Sequence, residues 1–342
     1  MKRSNYWISL LASLLIVFGF LPATNIAAHA AAPTFYALDN GKIRFGTGSE
    51  NSVNATGQLQ QPWYASGATW YKLTFSSYPL DMQVSTGGVG TNNWNTNGSA
   101  VDTQNGTFSL ANLTIDYTGF VQTAAVGTGA KGYGKVVAKG NLTVGGITFE
   151  ITNTFELTAT DNFVKITTGV KNTSASSATN TRVWVGTRDD WVGNSDGPTK
   201  TRGTLSAANG FTQIAAAADR APALKIYTAS EGVLFYSTNT KATTSINSCC
   251  SFTNATNQDP TTSLITNTND GSYALFMRLN DLAAGSSEEF SWYYAAGAIA
   301  DLNNVVNQVA QAAASWSDQT IAATSVVNTA YSDGVTASGT GT

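Results

Sequence analysis

Apolar and polar side chains alternate along two successive stretches of this chain, residues 149–157 and 164–170. The alternating positions are Phe149, Ile151, Phe155, Leu157, Val164, Ile166, Thr168 and Val170. Because successive side chains of a β-strand point to opposite faces of a sheet, a period of two indicates strands that bury one face. Turn-forming pairs at 145–146 (Gly-Gly) and 161–162 (Asp-Asn) precede the two stretches, so the pattern predicts antiparallel neighbours.

The number of such stretches limits the architecture. Further candidate strands lie at residues 224–228, 233–238, 273–279 and 289–295. Roughly fourteen strands are expected in all, too many for an immunoglobulin-type sandwich of about seven to nine. With 42% hydrophobic residues, the chain has enough apolar surface for a substantial core. The sequence therefore predicts an all-β fold, a large antiparallel β-sandwich of two sheets.

One amphipathic helix is expected at residues 301–316. Its apolar positions follow the spacing of a helix face that packs on a core. These positions are Leu302, Val305, Val306, Val309, Ala312, Ala313 and Trp316. We expect this helix to dock on the sandwich, and a helix that binds a partner is the alternative.

The first 30 residues have the three parts of a secretory signal peptide. Lys2 and Arg3 precede an apolar run at residues 8–21, and residues 28–30 (Ala-His-Ala) have the small-x-small form of a cleavage site. A membrane anchor is the alternative, but it needs about 20 apolar residues, and this run has 14. We therefore predict a secreted or cell-surface protein with no transmembrane segment after cleavage.

Three parts of the chain follow from these patterns. The signal peptide occupies residues 1–30, and the β-sandwich domain with its helix occupies residues 31–317. Residues 318–342 are rich in Ser, Thr, Ala and Gly, a composition typical of a linker. The truncated start of a further module is the alternative for this tail.

Loss of the signal peptide changes the charge and the available chemistry. Lys plus Arg falls from 18 to 16 while Asp plus Glu stays at 21, so the net charge changes from −3 to −5. This acidic balance argues against nucleic acid as a partner. The single histidine, His29, leaves with the signal peptide. A mature chain without histidine excludes Ser-His-Asp and Cys-His catalysis and histidine-containing zinc sites.

Charged residues concentrate at residues 182–202, although only 11% of the chain is charged. The charged residues there are Arg182, Arg188, Asp189, Asp190, Asp196, Lys200 and Arg202. An apolar stretch at 183–185 leads into this segment, and a loop with glycine and proline leads out. Because functional side chains concentrate on loops held by a rigid scaffold, we expect any site at this exit from strand to loop.

Three roles are open for the oxygen-bearing side chains of this segment. Calcium takes about six to eight oxygen ligands. The candidate ligands are Asp189, Asp190, Asn194 and Asp196. The second role is structural, as ion pairs with Arg188, Lys200 or Arg202. The third is sugar binding or catalysis, and no cofactor other than calcium is predicted.

The candidates for catalysis are Arg188, Asp190 and Asp196. Glycoside cleavage needs two carboxyl groups about 5 Å or about 6.5–9.5 Å apart, one with a raised pKa. Asp189 and Asp190 are adjacent, so on a strand they would point to opposite faces. Asp190 with Asp196 is therefore the better pair. A lyase assisted by arginine, with a tyrosine as base, is a further alternative.

Aromatic rings in loops indicate a surface that binds sugar. Trp63 lies in residues 61–64, which we expect to form a turn. Trp94 lies in a long loop at residues 86–99, and Trp191 directly follows Asp189 and Asp190. Such rings stack on sugars when exposed, and packing under their own loops is the alternative. The predicted ligand-binding residues are Trp63, Trp94, Arg188, Asp189, Asp190 and Trp191.

Cys249 and Cys250 are the only cysteines, and they are adjacent. Thiols of exported proteins are usually oxidised. A trans peptide, however, holds neighbouring Cα atoms about 3.8 Å apart, below the usual range for a disulfide. A disulfide between these two residues, free thiols and intermolecular bonds are therefore three open alternatives.

The segment at residues 147–172 has a strand, a break and a second strand that ends in Val-x-Asn-Thr-Ser at 170–174. A strand at 179–190 then leads into polar residues, and residues 282–285 and 290–297 have the pattern of closing strands. This pattern resembles part of the galactose-mutarotase-like β-supersandwich superfamily. The resemblance covers about half of the mature chain and implies a supersandwich-like fold that handles carbohydrate. The catalytic histidines of mutarotases have no counterpart here, so the resemblance does not imply that activity.

These observations predict an exported β-sandwich module without catalysis, which binds carbohydrate or another cell-surface polymer or contributes to adhesion. A polysaccharide-active enzyme, either a hydrolase or a lyase without catalytic histidine, is the second hypothesis. The third is a purely structural domain of a surface layer or stalk.

Overall fold

The computed structural model describes residues 32–88 and 98–314. The chain divides into two units, Met1–Pro33 and Thr34–Thr342, and every element below belongs to the second. Outside the described residues lie the predicted signal peptide, Trp94, Trp316 and the tail at 318–342.

The described residues form 19 strands and two helices. The strands are β1 (Tyr36–Leu38), β2 (Ile43–Phe45), β3 (Pro62–Ser66), β4 (Thr69–Lys72), β5 (Asp81–Thr86), β6 (Ser99–Asp102), β7 (Ala111–Val126), β8 (Gly129–Val144), β9 (Ile147–Leu157), β10 (Phe163–Asn172), β11 (Arg182–Thr187), β12 (Thr199–Ser206), β13 (Gly210–Gln213), β14 (Ala223–Tyr227), β15 (Glu231–Ser237), β16 (Thr243–Ser248), β17 (Thr266–Asn267), β18 (Gly271–Arg278) and β19 (Ser287–Ala298). The helices are Phe252–Asn257 and residues 302–314.

The strands form one large sheet and two smaller ones. The large sheet has eleven strands in the order β1-β8-β9-β10-β19-β15-β14-β12-β13, with β7 beside β8 and β17 beside β12. The second sheet has the order β16-β18-β11-β5-β6, and the third has the order β2-β3-β4. Among the described pairs, β1 with β8 is parallel and the others are antiparallel. The predicted all-β antiparallel sandwich is confirmed.

The alternating positions of β9 and β10 face a core shared with the second sheet. Phe155 lies opposite Ile166, and Ile151 lies opposite Val170. All four side chains belong to one buried cluster that also includes Val185 from β11. The period of two in the sequence therefore reflects one face turned to this core.

Thr168 occupies a polar position on the same buried face. Its hydroxyl donates to Oδ1 of Asn153 at 2.8 Å. The indole N–H of Trp292 on β19 donates to the Thr168 hydroxyl oxygen at 3.1 Å. These hydrogen bonds offset the cost of burying polar groups and connect β9, β10 and β19 through their side chains.

Strand β11 is buried on both faces. Val183 and Val185 pack in the core between the sheets. Trp184 points the other way and packs with Phe252 of the short helix. All six residues of β11 are buried, so polar and apolar residues do not alternate along it.

The helix at residues 302–314 covers the outer face of the large sheet. Helix and sheet share one cluster of buried side chains, Phe163, Ala223, Leu234, Tyr293, Ala295, Leu302, Val305, Val306, Val309 and Ala313. The predicted helix and its docking on the sandwich are confirmed. Within residues 32–88 and 98–314, no helix combines the length and the apolar content needed to span a membrane.

Two strands differ from the sequence expectations. The expected turn at residues 61–64 is wrong, because Trp63 and Tyr64 belong to β3 and pair with Lys72 and Tyr71 of β4. Strand β7, with 16 residues, was not predicted. It pairs only with β8 in the described structure, and most of its side chains are exposed. Leu113, Ile115 and Tyr117 nevertheless alternate with polar residues and pack against the core as partly buried side chains.

We expect Leu302→Ala to lower the free energy of unfolding by about 2–5 kcal/mol, because it leaves a cavity between the helix and the sheet. Leu302 is 2% exposed. Gln308→Ala, at an exposed position of the same helix, is the control and should change stability by less than about 0.5 kcal/mol. Denaturant unfolding measures both. Equal effects of the two substitutions would contradict docking of the helix on the sheet.

Candidate functional site

The charged segment leaves the second sheet at the end of β11, where Arg188 is anchored to β5. Asp81 on β5 is fully buried. It accepts hydrogen bonds from the backbone N (2.7 Å), Nε (3.0 Å) and Nη2 (2.5 Å) of Arg188. Burial raises the pKa of Asp81, and the hydrogen bonds and charge of Arg188 oppose that rise. Arg188 therefore fixes the start of the segment on the neighbouring strand.

Asp190 and Lys200 form an ion pair closed to solvent. Nζ of Lys200 lies 2.5 Å from Oδ2 of Asp190, and both side chains are 0% exposed. Nζ also donates to the carbonyl oxygens of Pro198 (3.0 Å) and Asn269 (2.7 Å). Burial raises the pKa of Asp190 to about 7, and Lys200 opposes the rise. This is the structural ion pair among the sequence alternatives, and it leaves no surface of Asp190 for a ligand.

Asp189 points to a different group of carboxylates. One carboxylate oxygen of Asp189 and one of Asp270 lie within 4.8 Å of each other, in a group that also holds the sulfurs of Cys249 and Cys250. Burial raises the pKa of Asp189 to about 6, and the charges of Asp270 and Asp196 add to the rise. Burial and the charge of Asp196 also raise the pKa of Asp270. A carboxyl group with a pKa near 6 can exchange a proton near neutral pH.

Cys249 and Cys250 are joined in a disulfide across a cis peptide bond. This is the first of the three alternatives left by the sequence. Sulfurs bonded to each other offer no thiolate to a metal. In that group, Asp189 and Asp270 then provide carboxylate oxygens, whereas calcium takes about six or more oxygens.

The structure places the four predicted calcium ligands in different surroundings. Asp190 contacts Lys200. Asp189 lies beside Asp270, and Asn194 and Asp196 are exposed in the following loop. Calcium at this loop, and the catalytic pair of Asp190 with Asp196, stay predictions.

A row of aromatic rings and cations begins on the three-stranded sheet. The guanidinium of Arg44 lies 4.2 Å from the ring centroid of Trp70 and 5.1 Å from that of Trp63. Arg44 pairs with Trp63 across β2 and β3, and Trp63 pairs with Lys72 across β3 and β4. Residues directly opposite in a sheet share a face, so the four side chains line one side of this sheet.

The row continues from Lys72 to the loop after β11. Nζ of Lys72 lies 4.3 Å from the ring centroid of Trp191 and 5.1 Å from that of Phe75. The rings of Phe75 and Trp191 are 5.4 Å apart, and those of Phe75 and Tyr78 are 6.4 Å apart. Arg188 closes the row, 4.6 Å from the Tyr78 centroid. Such cation–π contacts each contribute about 0.5–1 kcal/mol at exposed sites.

We call the five rings the aromatic strip, which comprises Trp63, Trp70, Phe75, Tyr78 and Trp191. All five are partly exposed. The strip lies beside Asp189, because the backbone N–H of Phe75 donates to the Asp189 carbonyl oxygen at 3.3 Å and the charge of Lys72 acts on the Asp189 carboxyl group. Of the predicted ligand-binding residues, the structure brings together Trp63, Arg188, Asp189 and Trp191.

Sequence reasoning missed Arg44, Lys72, Phe75 and Asp270 at this site. If residues 62–66 had been predicted as a strand, the register of the β3–β4 hairpin would have placed Trp63, Trp70 and Lys72 on one face of the sheet. Asp270 follows β17 and reaches Asp189 only through tertiary structure. No local pattern in the sequence indicates that contact.

The solved structures similar to this chain include distant likenesses. No family model matches the chain, and no curated protein matches it. Among solved structures, a bacterial glucoamylase complexed with acarbose has 12% identity and a TM-score of 0.45, covering 82% of this chain and 36% of its own. The chain therefore spans about a third of that enzyme's length.

Two further solved structures align with this chain over almost their whole length. A putative aldose 1-epimerase from Escherichia coli K12 has 10% identity and a TM-score of 0.36, with 77% of this chain and 99% of that chain covered. A galactose mutarotase related enzyme from Lactobacillus acidophilus has 10% identity and a TM-score of 0.39, with 77% and 97% covered. The similar structures thus include members of the superfamily that the strand pattern resembles. At these TM-scores the likeness carries no site residue and no activity over to this chain.

We expect Asp189→Asn to flatten the decline of stability between about pH 4 and pH 6. The Asp189 pKa is raised from 3.8 to about 6, so the folded state binds the proton more tightly than the unfolded state does. That contribution is complete below about pH 4 and is lost as pH rises through 6. The variant should gain about 1–2 kcal/mol relative to the native chain between these limits.

Thermal and denaturant unfolding from pH 4 to pH 8 measure this difference. Glu289→Gln, at an exposed carboxylate, is the control and should leave the profile unchanged. Parallel profiles of Asp189→Asn and the native chain would show that Asp189 titrates as an ordinary carboxylate.

We expect Lys200→Met to cost about 3–5 kcal/mol of unfolding free energy at pH 8, because it leaves the Asp190 carboxylate buried without its partner. The cost should be smaller at pH 5, where Asp190 takes up a proton. Lys171→Met, at an exposed position, should change stability by less than about 0.5 kcal/mol. A Lys200→Met penalty that is the same at both pH values would contradict an ionised Asp190 in the pair.

Proposed function

We propose that this protein is a carbohydrate-binding module without catalysis, and that its ligand lies along the aromatic strip. The observation that carries the proposal is the row of five partly exposed rings from Trp70 to Tyr78, held in place by Arg44, Lys72 and Arg188.

The chemistry of the strip suits sugars. Pyranose rings present C–H faces that pack on aromatic rings, and their hydroxyl groups need hydrogen-bond partners at the edges. Asp270, which is exposed, and Lys72, which is partly exposed, lie beside the strip and offer such partners. Binding sites commonly combine apolar and aromatic walls with a few placed polar groups.

The strip is also fixed before binding. Arg44 lies between Trp63 and Trp70, and Lys72 lies close to both Phe75 and Trp191. Rings held by neighbouring side chains lose little conformational entropy when a ligand arrives, which favours affinity.

A polysaccharide hydrolase is the second candidate, and a specific observation favours it. Carboxylate oxygens of Asp189 and Asp270 lie within 4.8 Å, and the pKa of Asp189 is raised to about 6. Retaining glycosidases hold two carboxyl groups about 5–5.5 Å apart, one of them with a raised pKa. Asp189 is only 6% exposed, which limits its access to a glycosidic bond and makes this the weaker candidate.

A secreted or cell-surface location, with a role in binding or adhesion to a surface polymer, belongs to the same proposal. Its support is the signal-peptide pattern of residues 1–30 and the low charge of the chain. The solved structures similar to this chain bear the names of carbohydrate-active enzymes and sugar epimerases. A structural surface-layer or stalk domain is the remaining hypothesis.

The test is retention of the protein on a panel of insoluble and gel-embedded polysaccharides, with release of new sugar ends recorded in the same samples. We expect retention without release. Trp70→Ala and Trp191→Ala should each weaken binding at least tenfold, a loss of about 1.4 kcal/mol. Tyr71→Ala is the matched control, because Tyr71 is next to Trp70 on β4 and faces the other side of the sheet.

The remaining outcomes separate the hypotheses. Release that disappears in Asp270→Asn, with folding intact, would make the protein a hydrolase and overturn the proposal. Neither retention nor release across the panel would favour the structural domain. Retention that is equally strong in Trp70→Ala, Trp191→Ala and Tyr71→Ala would place the binding surface elsewhere. Loss of retention with a chelator would support calcium near Asp189.

A further inference from the structure

A cavity of about 290 Å³ lies apart from the aromatic strip and is lined by four cationic side chains. We call it the arginine cavity. Its charged lining residues are Arg202, Asp219, Arg220, Lys241 and Arg278. Arg202 belongs to β12 of the large sheet and Arg278 ends β18 of the second sheet. The cavity therefore lies where side chains of both sheets meet.

Arg202 is the central feature of the arginine cavity. Its side chain is 0% exposed. Nη1 donates to the carbonyl oxygens of Ala217 (3.2 Å) and Ser263 (3.3 Å). Nε and Nη2 are also buried, and they have no hydrogen-bond partner. Burial lowers the pKa of Arg202 to about 10, so the group stays charged at neutral pH and retains two N–H groups to donate.

The neighbouring cations are positioned by neutral groups. Arg220 donates from Nε to the Ala242 carbonyl oxygen (3.2 Å) and from Nη2 to the Asn239 carbonyl oxygen (2.9 Å). Lys241 donates to the side-chain oxygen of Asn280. Such bonds fix the side chains in place without neutralising their charge.

One carboxylate, that of Asp219, lies in the lining and offsets part of this charge. None of the four cations is in a salt bridge within residues 32–88 and 98–314. The acidic lining residue, Asp219, uses Oδ2 to accept the backbone N–H groups of Ala215 (3.1 Å) and Ala216 (2.8 Å). These hydrogen bonds fix the Asp219 carboxylate without neutralising it, so one negative charge faces four positive ones and the lining keeps a net positive charge.

We propose that the arginine cavity is a binding site for an oxyanion group, the carboxylate, sulfate or phosphate of a small anion or of an acidic sugar. A buried cation such as Arg202 is costly unless it is paired. An oxyanion would pair with Arg202 and with the more accessible Arg220, Lys241 and Arg278 around it. The planar guanidinium fork matches carboxylate and phosphate oxygens. The volume exceeds the roughly 30 Å³ that one water molecule occupies, so a group of several heavy atoms fits.

An oxyanion in this position would contact both sheets, through Arg202 and through Arg278. Ligands that bind only the folded state stabilise it. Stability in the presence of anions is therefore a direct measure of the site, and it does not depend on the sugar proposed for the aromatic strip.

The experiment measures thermal unfolding of the full protein in sodium phosphate against sodium chloride at constant ionic strength. We expect the Tm to rise with phosphate concentration beyond any effect of chloride. Arg278→Gln and Lys241→Gln should each weaken the apparent affinity for phosphate at least tenfold. Lys171→Gln, an exposed cation outside the cavity, is the charge-matched control and should keep the full response.

These variants avoid Arg202, whose complete burial links it to folding. Arg278 lies opposite Arg182 across β18 and β11, so its replacement relieves a repulsion and the variant should fold. A second arm uses oligogalacturonate, with a neutral galactose oligomer as control. Tighter binding of oligogalacturonate than of phosphate, lost in Arg278→Gln, would assign the site to acidic sugars. A response to phosphate alone would assign it to a free anion.

Two results would overturn the proposal. One is the absence of any stabilisation by phosphate or oligogalacturonate relative to chloride. The other is a stabilisation that Arg278→Gln and Lys241→Gln retain in full, since anions would then act elsewhere on the protein. Failure at the arginine cavity leaves the aromatic strip untouched, because none of the cavity variants alters a residue of the strip.

Discussion

The ion pair of Asp190 and Lys200 connects the two sheets of the sandwich. Asp190 follows β11 of the second sheet, and Lys200 lies on β12 of the large sheet. A single buried charge without a partner is strongly destabilising. The segment between Asp190 and Lys200 must therefore bring the two side chains into contact. Residues 191–198 are thereby closed into a loop of fixed position, and Asp189, one residue earlier, is directed toward Asp270 and the aromatic strip.

The fold was predictable where burial affects one face of a strand or helix. Strands β9 and β10 and the helix at residues 302–314 each pack a single face on a core, so their apolar residues recur with the period of the element. Strand β11 is buried on both faces and β7 is largely exposed. Because β11 is buried on both faces it lacks alternation, and its strand was predicted from the apolar stretch at 183–185 instead. In β7, Leu113, Ile115 and Tyr117 do alternate with polar residues and pack against the core, but this signal covers only a small part of a 16-residue strand.

The candidate site was predictable in part, for the same physical reason. The high density of charged residues around Asp189 and Asp190 is visible in the sequence. The different environments of the two carboxylates are not. Which carboxylate is buried against Lys200 and which lies beside Asp270 depends on contacts between distant strands. Likewise Trp63 and Trp191 stood out singly, whereas the row that joins them requires the β3–β4 register and the cations of Arg44 and Lys72.

The helix at residues 302–314 follows every strand of the sheet that it covers. During synthesis, at roughly 5–20 residues per second, the ribosome therefore completes the large sheet before the helix that shields its outer apolar face. Until the helix docks, Phe163, Leu234 and Tyr293 on this face have no helix packed against them. The helix must therefore be present before the outer face of the large sheet is covered, so this face is the last part of the core to close.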